Sequence, residues 1–210
     1  MPRDDKSPNV DPRIRRTERA VIAAAKELFE TQGYASTTMT QIAQHAECAP
    51  RTLFLRFATK ADLLRRVVDA TFAGLAEPGE GLTAARARLK AGTLDERLRA
   101  FAEGVADVLV RTGPLFAVAR EAEASEPSIR AGFDEARRDT LANSHRMWQH
   151  LADDGLLHPD VDVAWVADTT GLLASADTYL LMSTTLAWSR DELAAWLHRT
   201  WTHFATTPSR

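Results

Sequence analysis

The chain has 210 residues, of which 45% are hydrophobic and 26% charged, an ordinary balance for a folded chain that argues against wholesale disorder. No stretch approaches the ~20 apolar residues of a membrane helix, no apolar run follows the first residues (MPRDDK) as in a secretory signal, and the single cysteine, Cys48, excludes an internal disulfide and a Cys-rich metal site; a cytoplasmic protein with no membrane attachment is expected. The net charge of −3 conceals an asymmetry: residues 1–66 carry 12 Lys+Arg against 8 Asp+Glu and residues 67–210 carry 14 against 21, so a basic N-terminal third suited to a polyanion precedes an acidic remainder.

Proline divides the chain. Between Pro12, Pro50, Pro78, Pro114, Pro127, Pro159 and Pro208 there is none, so each block can be helical throughout. The blocks are rich in Ala, Leu, Arg and Glu, which favour helix. No run alternates apolar and polar residues as a strand does, and no internal repeat is present. An all-α chain of about nine helices follows.

The first 12 residues read as a disordered arm. A first helix is expected over 13–31, with Ile14, Val21, Ala25, Leu28 and Phe29 on one face and Gly33 in the left-handed position past its end. Thr38 followed by Gln41 is a capping box that starts a second, short helix, with Ile42, Ala43 and Ala46 facing inward. Residues 47–49 form a tight link. Pro50 suits the first turn of a third helix, expected over 51–57, whose Leu53 and Phe57 face in. Thr59 and Asp62 form a second capping box, opening a longer helix with Leu63, Leu64, Val67, Val68 and Phe72. Residues 77–92 read as a linker. Further helices are expected near 93–111, 114–123, 128–154, 162–183 and 190–206, with breaks at Gly113-Pro114, Glu126-Pro127, Gly155 and His158-Pro159. The charged stretch 120–138 reads as surface.

Two short helices joined by a three- or four-residue link form a helix-turn-helix pattern. Its second helix must offer a major groove polar, basic or methyl-seeking side chains. Arg51, Thr52, Leu55 and Arg56 point away from the Leu53/Phe57 face. Arginine can grip guanine O6 and N7 together, and Thr52 can bond a phosphate or touch a thymine methyl. Thr38, Thr40, Thr59 and Lys60 supply hydroxyls and charge where helix ends abut a phosphate backbone.

In the segments AAAKELFETQGY (23–34), TTMTQIA (37–43) and PRTLFLRFATKADLL (50–64) the chain resembles the TetR family of transcriptional regulators. The resemblance covers about a quarter of the chain; beyond it the helices match only in number and order. It implies a three-helix DNA-binding domain over 13–66 and a larger helical domain over 67–210 that dimerises and binds a ligand. Thr38, Thr40, Thr52, Phe54 and Lys60 fall where DNA backbone contacts are made. Arg51, Leu55 and Arg56 fall where base edges are read. Arg13, Arg15 and Arg16 sit where a leading arm could reach phosphate or the minor groove. Three residues depart from the pattern: Glu47 stands where glycine is usual, Ala49 where serine is common, and Phe54 where tyrosine is common.

Apolar stripes then read as a dimer interface built from the last two helices: Leu172, Leu173, Ala176 and Leu180 on one, Leu193, Trp196, Leu197, Thr200, Trp201 and Phe204 on the other. The middle helices would enclose an apolar pocket lined by Phe101, Val105, Leu109, Phe116, Met147, Trp148, Leu151 and Tyr179, with Asn143, His145 or Asp177 as polar anchors. The helix after Lys60 would couple that pocket to the DNA head.

An enzyme is not expected. None of the six histidines has a Glu three residues before it, and none pairs at i, i+4 for a zinc helix. Gly-rich phosphate loops and nucleophile elbows are absent, and no cofactor or metal is implied. The expectation is a homodimeric regulator, a repressor of a palindromic double-stranded DNA operator, released by an unidentified small hydrophobic effector. The alternative is a helical small-molecule sensor or carrier whose DNA head is vestigial.

Overall fold

The structure, a computed structural model, describes residues 12–76 and 92–208. Of the expected arm over 1–12 and linker over 77–92, residues 1–11 and 77–91 lie outside the described residues, and Pro12 opens the first helix. Nine helices and no strand occur among the described residues: α1 (Pro12–Gln32), α2 (Met39–His45), α3 (Pro50–Phe54), α4 (Lys60–Ala76), α5 (Leu94–Glu123), α6 (Pro127–Asp153), α7 (Val163–Leu173), α8 (Ala176–Thr185) and α9 (Arg190–Thr206). The all-α expectation holds.

Local chemistry sets most ends. Thr93–Glu96 and Ser189–Glu192 form capping boxes at α5 and α9, and Asp162 and Ser175 cap α7 and α8, each satisfying backbone donors with no helical partner. Gly33 adopts φ +81° past α1, as its place in the sequence predicts.

Three expected boundaries are corrected. Gly113-Pro114 does not break the chain: α5 runs through it for 30 residues, about 45 Å at 1.5 Å per residue. Pro114 is exposed, and its missing N–H leaves one turn without a bond, which alone costs about 3 kcal/mol. Burial on both sides outweighs that. The N-terminal half of α5 places Leu98, Ala102, Ala106 and Leu109 in one core, and its C-terminal half places Leu115, Val118, Ala119 and Ala122 in another. Conversely, the helix expected over 162–183 is two helices, because Ser175 turns its side chain onto the Thr178 N–H and restarts the chain as α8. The third helix is also shorter than expected, ending at Phe54, although Phe57 still closes on Leu53 O at 2.9 Å.

The first core joins α1–α4 (Val21, Leu28, Phe29, Ile42, Leu53, Phe57, Leu63, Leu64, Val67) to α5 and to Ile129 and Phe133 of α6. The stretch 120–138 is therefore not merely surface: it carries three core residues, Ala122, Ile129 and Phe133, and Arg120, Glu121, Glu123, Glu126, Asp134 and Arg137 are engaged in contacts. The second core packs α5 against α9 and α6 against α7, around Trp148, Val166, Leu193, Leu197 and Trp201. Phe116 packs against both cores.

Candidate nucleic-acid interface

The site is built on α2, the following turn and α3. Thr38 Oγ1 accepts from the Gln41 N–H at 3.2 Å, and Gln41 Oε1 accepts from the Thr38 N–H at 2.8 Å. This closes the capping box and stands the exposed Thr38 and Thr40 at the start of α2. The turn is tight: Cys48 N donates to Ala43 O at 3.0 Å, and Glu47 sits at φ +51°. A left-handed conformation costs a non-glycine residue about 1–2 kcal/mol, and Glu47 adopts it without glycine's freedom. Burial raises the Cys48 thiol above its ordinary pKa. Ala49 offers no side-chain cap to α3, while Pro50 occupies the first turn.

Leu53 (1% exposed) and Phe57 (7%) anchor α3 to the core. That fixes its rotation and turns Arg51, Thr52, Phe54, Leu55 and Arg56 outward. Leu55 is 76% exposed and Phe54 50%, high values for apolar side chains. Arg51 and Arg56 make no ion pair among the described residues. Arg15 and Arg16 on α1 are likewise exposed; the Arg13 side chain lies outside the described residues.

Lys60 is placed differently from a free phosphate ligand. Its ammonium donates to Tyr34 O at 2.7 Å and Thr37 O at 2.9 Å and lies 4.1 Å from the centre of the Tyr34 ring. Desolvation lowers its pKa, against the opposing pull of Glu126 and Glu121. The lysine staples the α1–α2 turn to the start of α4.

The same turn is held from α5, which sequence reading missed. Glu121 accepts the N–H groups of Tyr34 and Ala35, each at 2.9 Å, and the Tyr34 hydroxyl donates to Glu126 at 2.8 Å. Those bonds to Ala35 and Tyr34, with Lys60 nearby, hold the Glu121 carboxyl below its usual range. Burial and the Glu126 carboxylate push the Tyr34 phenol up. No local pattern could signal these contacts, because the partners lie 86 to 92 residues apart.

The expected pocket residues fall in or against the second core. Trp148 and Leu151 are fully packed, with Trp148 Nε1 donating to Thr170 Oγ1 at 2.6 Å. Phe101 packs against Trp201 with ring centres 5.0 Å apart and the rings tilted by 41°, and Val105, Phe116, Met147 and Tyr179 are partly buried around them. Trp201 Nε1 is buried with no hydrogen-bond acceptor among the described residues. The polar anchors face outward: His145 lies 2.7 Å from Asp168, Asn143 accepts from Arg146, and Asp177 pairs with arginines. An open surface groove, lined by His145, Arg146, Gln149 and residues 161–164, touches none of the pocket residues except the anchor His145.

The apolar stripe of α9 is also corrected. Leu193, Leu197 and Trp201 lie in the subunit's own core, because α9 packs along α5. Large apolar side chains stand exposed elsewhere: Trp165 and Leu172 on α7, Leu181 on α8. Trp165 meets Phe204 of α9 edge-on at 5.5 Å. No helix among the described residues is long and apolar enough to cross a membrane, and they hold no group of three or more His, Cys, Asp or Glu fit for a metal ion.

Residues 21–67 match the family model described as bacterial regulatory proteins, tetR family. The chain is 43% identical over 58 residues to the HTH-type transcriptional regulator TcmR of Streptomyces glaucescens, a match that covers 28% of this chain and about a quarter (26%) of that protein's length. Its fold is similar, with a TM-score of 0.71 at 22% identity, to a protein from Mesorhizobium loti MAFF303099 assigned to the TetR-family transcriptional regulators, covering 91% of this chain and 96% of that one. It is also similar to a TetR transcription regulator from Haloarcula marismortui ATCC 43049, with a TM-score of 0.67 at 16% identity over 90% and 96% of the two chains. The capped α2 and the outward-facing α3 lie inside the matched segment, so the head is similar to that of bacterial regulatory proteins of the tetR family, and the fold of the described chain is similar to TetR-family structures.

Proposed function

We propose that this protein is a homodimeric transcriptional repressor that binds a palindromic DNA operator and is released by a small apolar effector. Residues 13–66 engage DNA, residues 67–210 dimerise and take the effector, and the protein acts in the cytoplasm. One observation carries the reading: α3 and the turn after it bury Leu53 and Phe57 and leave Arg51, Thr52, Phe54, Leu55 and Arg56 facing out, with neither guanidinium ion-paired among the described residues. In a major groove Arg51 and Arg56 would read guanine edges and Leu55 a thymine methyl. Thr38, Thr40, Thr52 and Phe54 would meet the backbone, and Arg16 would approach phosphate from α1. A second copy is supported by the exposed Trp165 and Leu172, with Phe204 edge-on to Trp165. Two copies would set recognition helices about 34–36 Å apart, as successive major grooves require. The effector reading draws on the second core, where the orphaned Trp201 N–H would take a hydrogen-bond acceptor.

The test is retardation of DNA from the gene's own upstream region at 50 and 200 mM salt, with random DNA as competitor. A specific complex whose affinity falls steeply with salt is expected. No specific complex at either concentration would overturn the reading and favour a sensor with a vestigial head.

A further inference from the structure

Two sets of contacts meet at the C-terminal end of α5. On one side, Gly33 at φ +81° turns the backbone so that the N–H groups of Tyr34 and Ala35 converge on Glu121, one on each carboxylate oxygen. A carboxylate in such a nest forms charge-assisted bonds. The missing side chain of Gly33 makes the room, since a Cβ there would stand 2.9 Å from Glu121 Oε2. On the other side, Asp177 in the first turn of α8 accepts from Arg137 at 2.8 Å and from Arg120 at 2.7 Å. Both arginines also reach Glu123, at 3.3 and 3.2 Å. The residue before Glu121 and the second one after it are thus tied to α8. That helix buries no residue fully, so it is the element most easily displaced from the body.

We propose that Glu121 is a positioning residue for the DNA head, and that displacement of α8 reaches it through Asp177, Arg120, Arg137 and Glu123. The inference rests on the regulator reading and deepens it by assigning the route from body to head. When the Asp177 network loosens, the end of α5 shifts. The α1–α2 turn moves with the Glu121 carboxylate, and α2 and α3 follow the turn.

Hydrogen exchange read by mass spectrometry on the full chain, without DNA, tests this. Glu121→Gln keeps the shape and removes the charge; exchange of the segment 33–37 is expected to rise about tenfold. Asp177→Asn, on the far side of the network, is expected to raise the same amides about three- to tenfold while segments of α9 keep wild-type rates. The double variant exchanges no faster than Glu121→Gln alone, since both act through one contact. Wild-type rates at 33–37 in Asp177→Asn, or effects that multiply in the double variant, overturn the proposal. If Glu121→Gln does not fold, Asp177→Asn and Arg137→Gln decide it by the same reading. Absence of DNA binding with this exchange pattern intact refutes the regulator reading and supports the latch; DNA binding with no such pattern refutes the latch alone.

Discussion

The ring of Tyr179 on α8 lies against Gly113 of α5 so closely that a Cβ there would stand 2.4 Å from Cε1 and 3.0 Å from the hydroxyl. Gly113→Ala must push Tyr179 away, and we expect it to lower stability by about 1–3 kcal/mol. Gly104, in the same helix, has no atom within 4 Å of its missing Cβ. Gly104→Ala is expected to raise stability by about 0.5–1 kcal/mol. Chemical denaturation of the two variants gives opposite signs if the packing is as described.

Lys60 and Arg51 separate structure from recognition. Lys60→Ala removes a charge from two carbonyl oxygens and a ring and should cost about 1.5–3 kcal/mol of stability. Arg51→Ala should leave the unfolding midpoint unchanged, cost about 1–3 kcal/mol of operator binding and relax specificity at one base pair. Equal losses on operator and random DNA would refute the base-reading role of Arg51.

Glu47 holds a left-handed conformation in the turn before α3. Glu47→Gly should stabilise the protein by about 1 kcal/mol. It also removes a negative charge beside the proposed phosphate-facing surface, so DNA affinity should rise, most at low salt. A variant that unfolds more easily than wild type would contradict the strain.

The Glu121 clasp has a defined pH dependence. Its carboxyl is held below the ordinary value of 4.5, so the clasp contributes fully above that pH and is lost as pH falls through the lower folded value. Tyr34 behaves in the opposite sense. Its phenol is held above the ordinary value of 10.0, so its contribution is present below pH 10 and is lost as pH rises further. Denaturation curves across both ranges, compared between wild type, Glu121→Gln and Tyr34→Phe, should lose the acid limb in the first variant and the alkaline limb in the second.

Thr170 Oγ1 takes the Trp148 N–H at 2.6 Å and lies 2.9 Å from Ser144 Oγ, all buried. Thr170→Val keeps the shape and orphans the indole donor, for an expected loss of about 1–3 kcal/mol. Thr170→Ser, which retains the acceptor, should recover the hydrogen-bond part of that loss.

What could be read from the sequence was chemistry acting within a turn or two of helix. The Thr38–Gln41 and Thr59–Asp62 caps, Pro50 at the head of α3, Gly33 past α1 and the inward Leu53/Phe57 pair all stand where spacing placed them, because a capping oxygen or an i, i+4 contact needs only its near neighbours. That sufficed for the all-α class, the outward face of α3 and the family that the head resembles. Tertiary structure decided the rest. It carried α5 through Pro114, because two cores pin its halves. The Ser175 cap that splits α7 from α8 is as local as the others, but only packing buried the α9 stripe against α5 and bound Lys60 to the carbonyls of a distant turn. Above all it brought Glu121 to Tyr34 and Ala35. Whether a charged residue faces solvent or clasps a backbone 86 residues away depends on where packed helices place it, and sequence spacing carries no record of that distance.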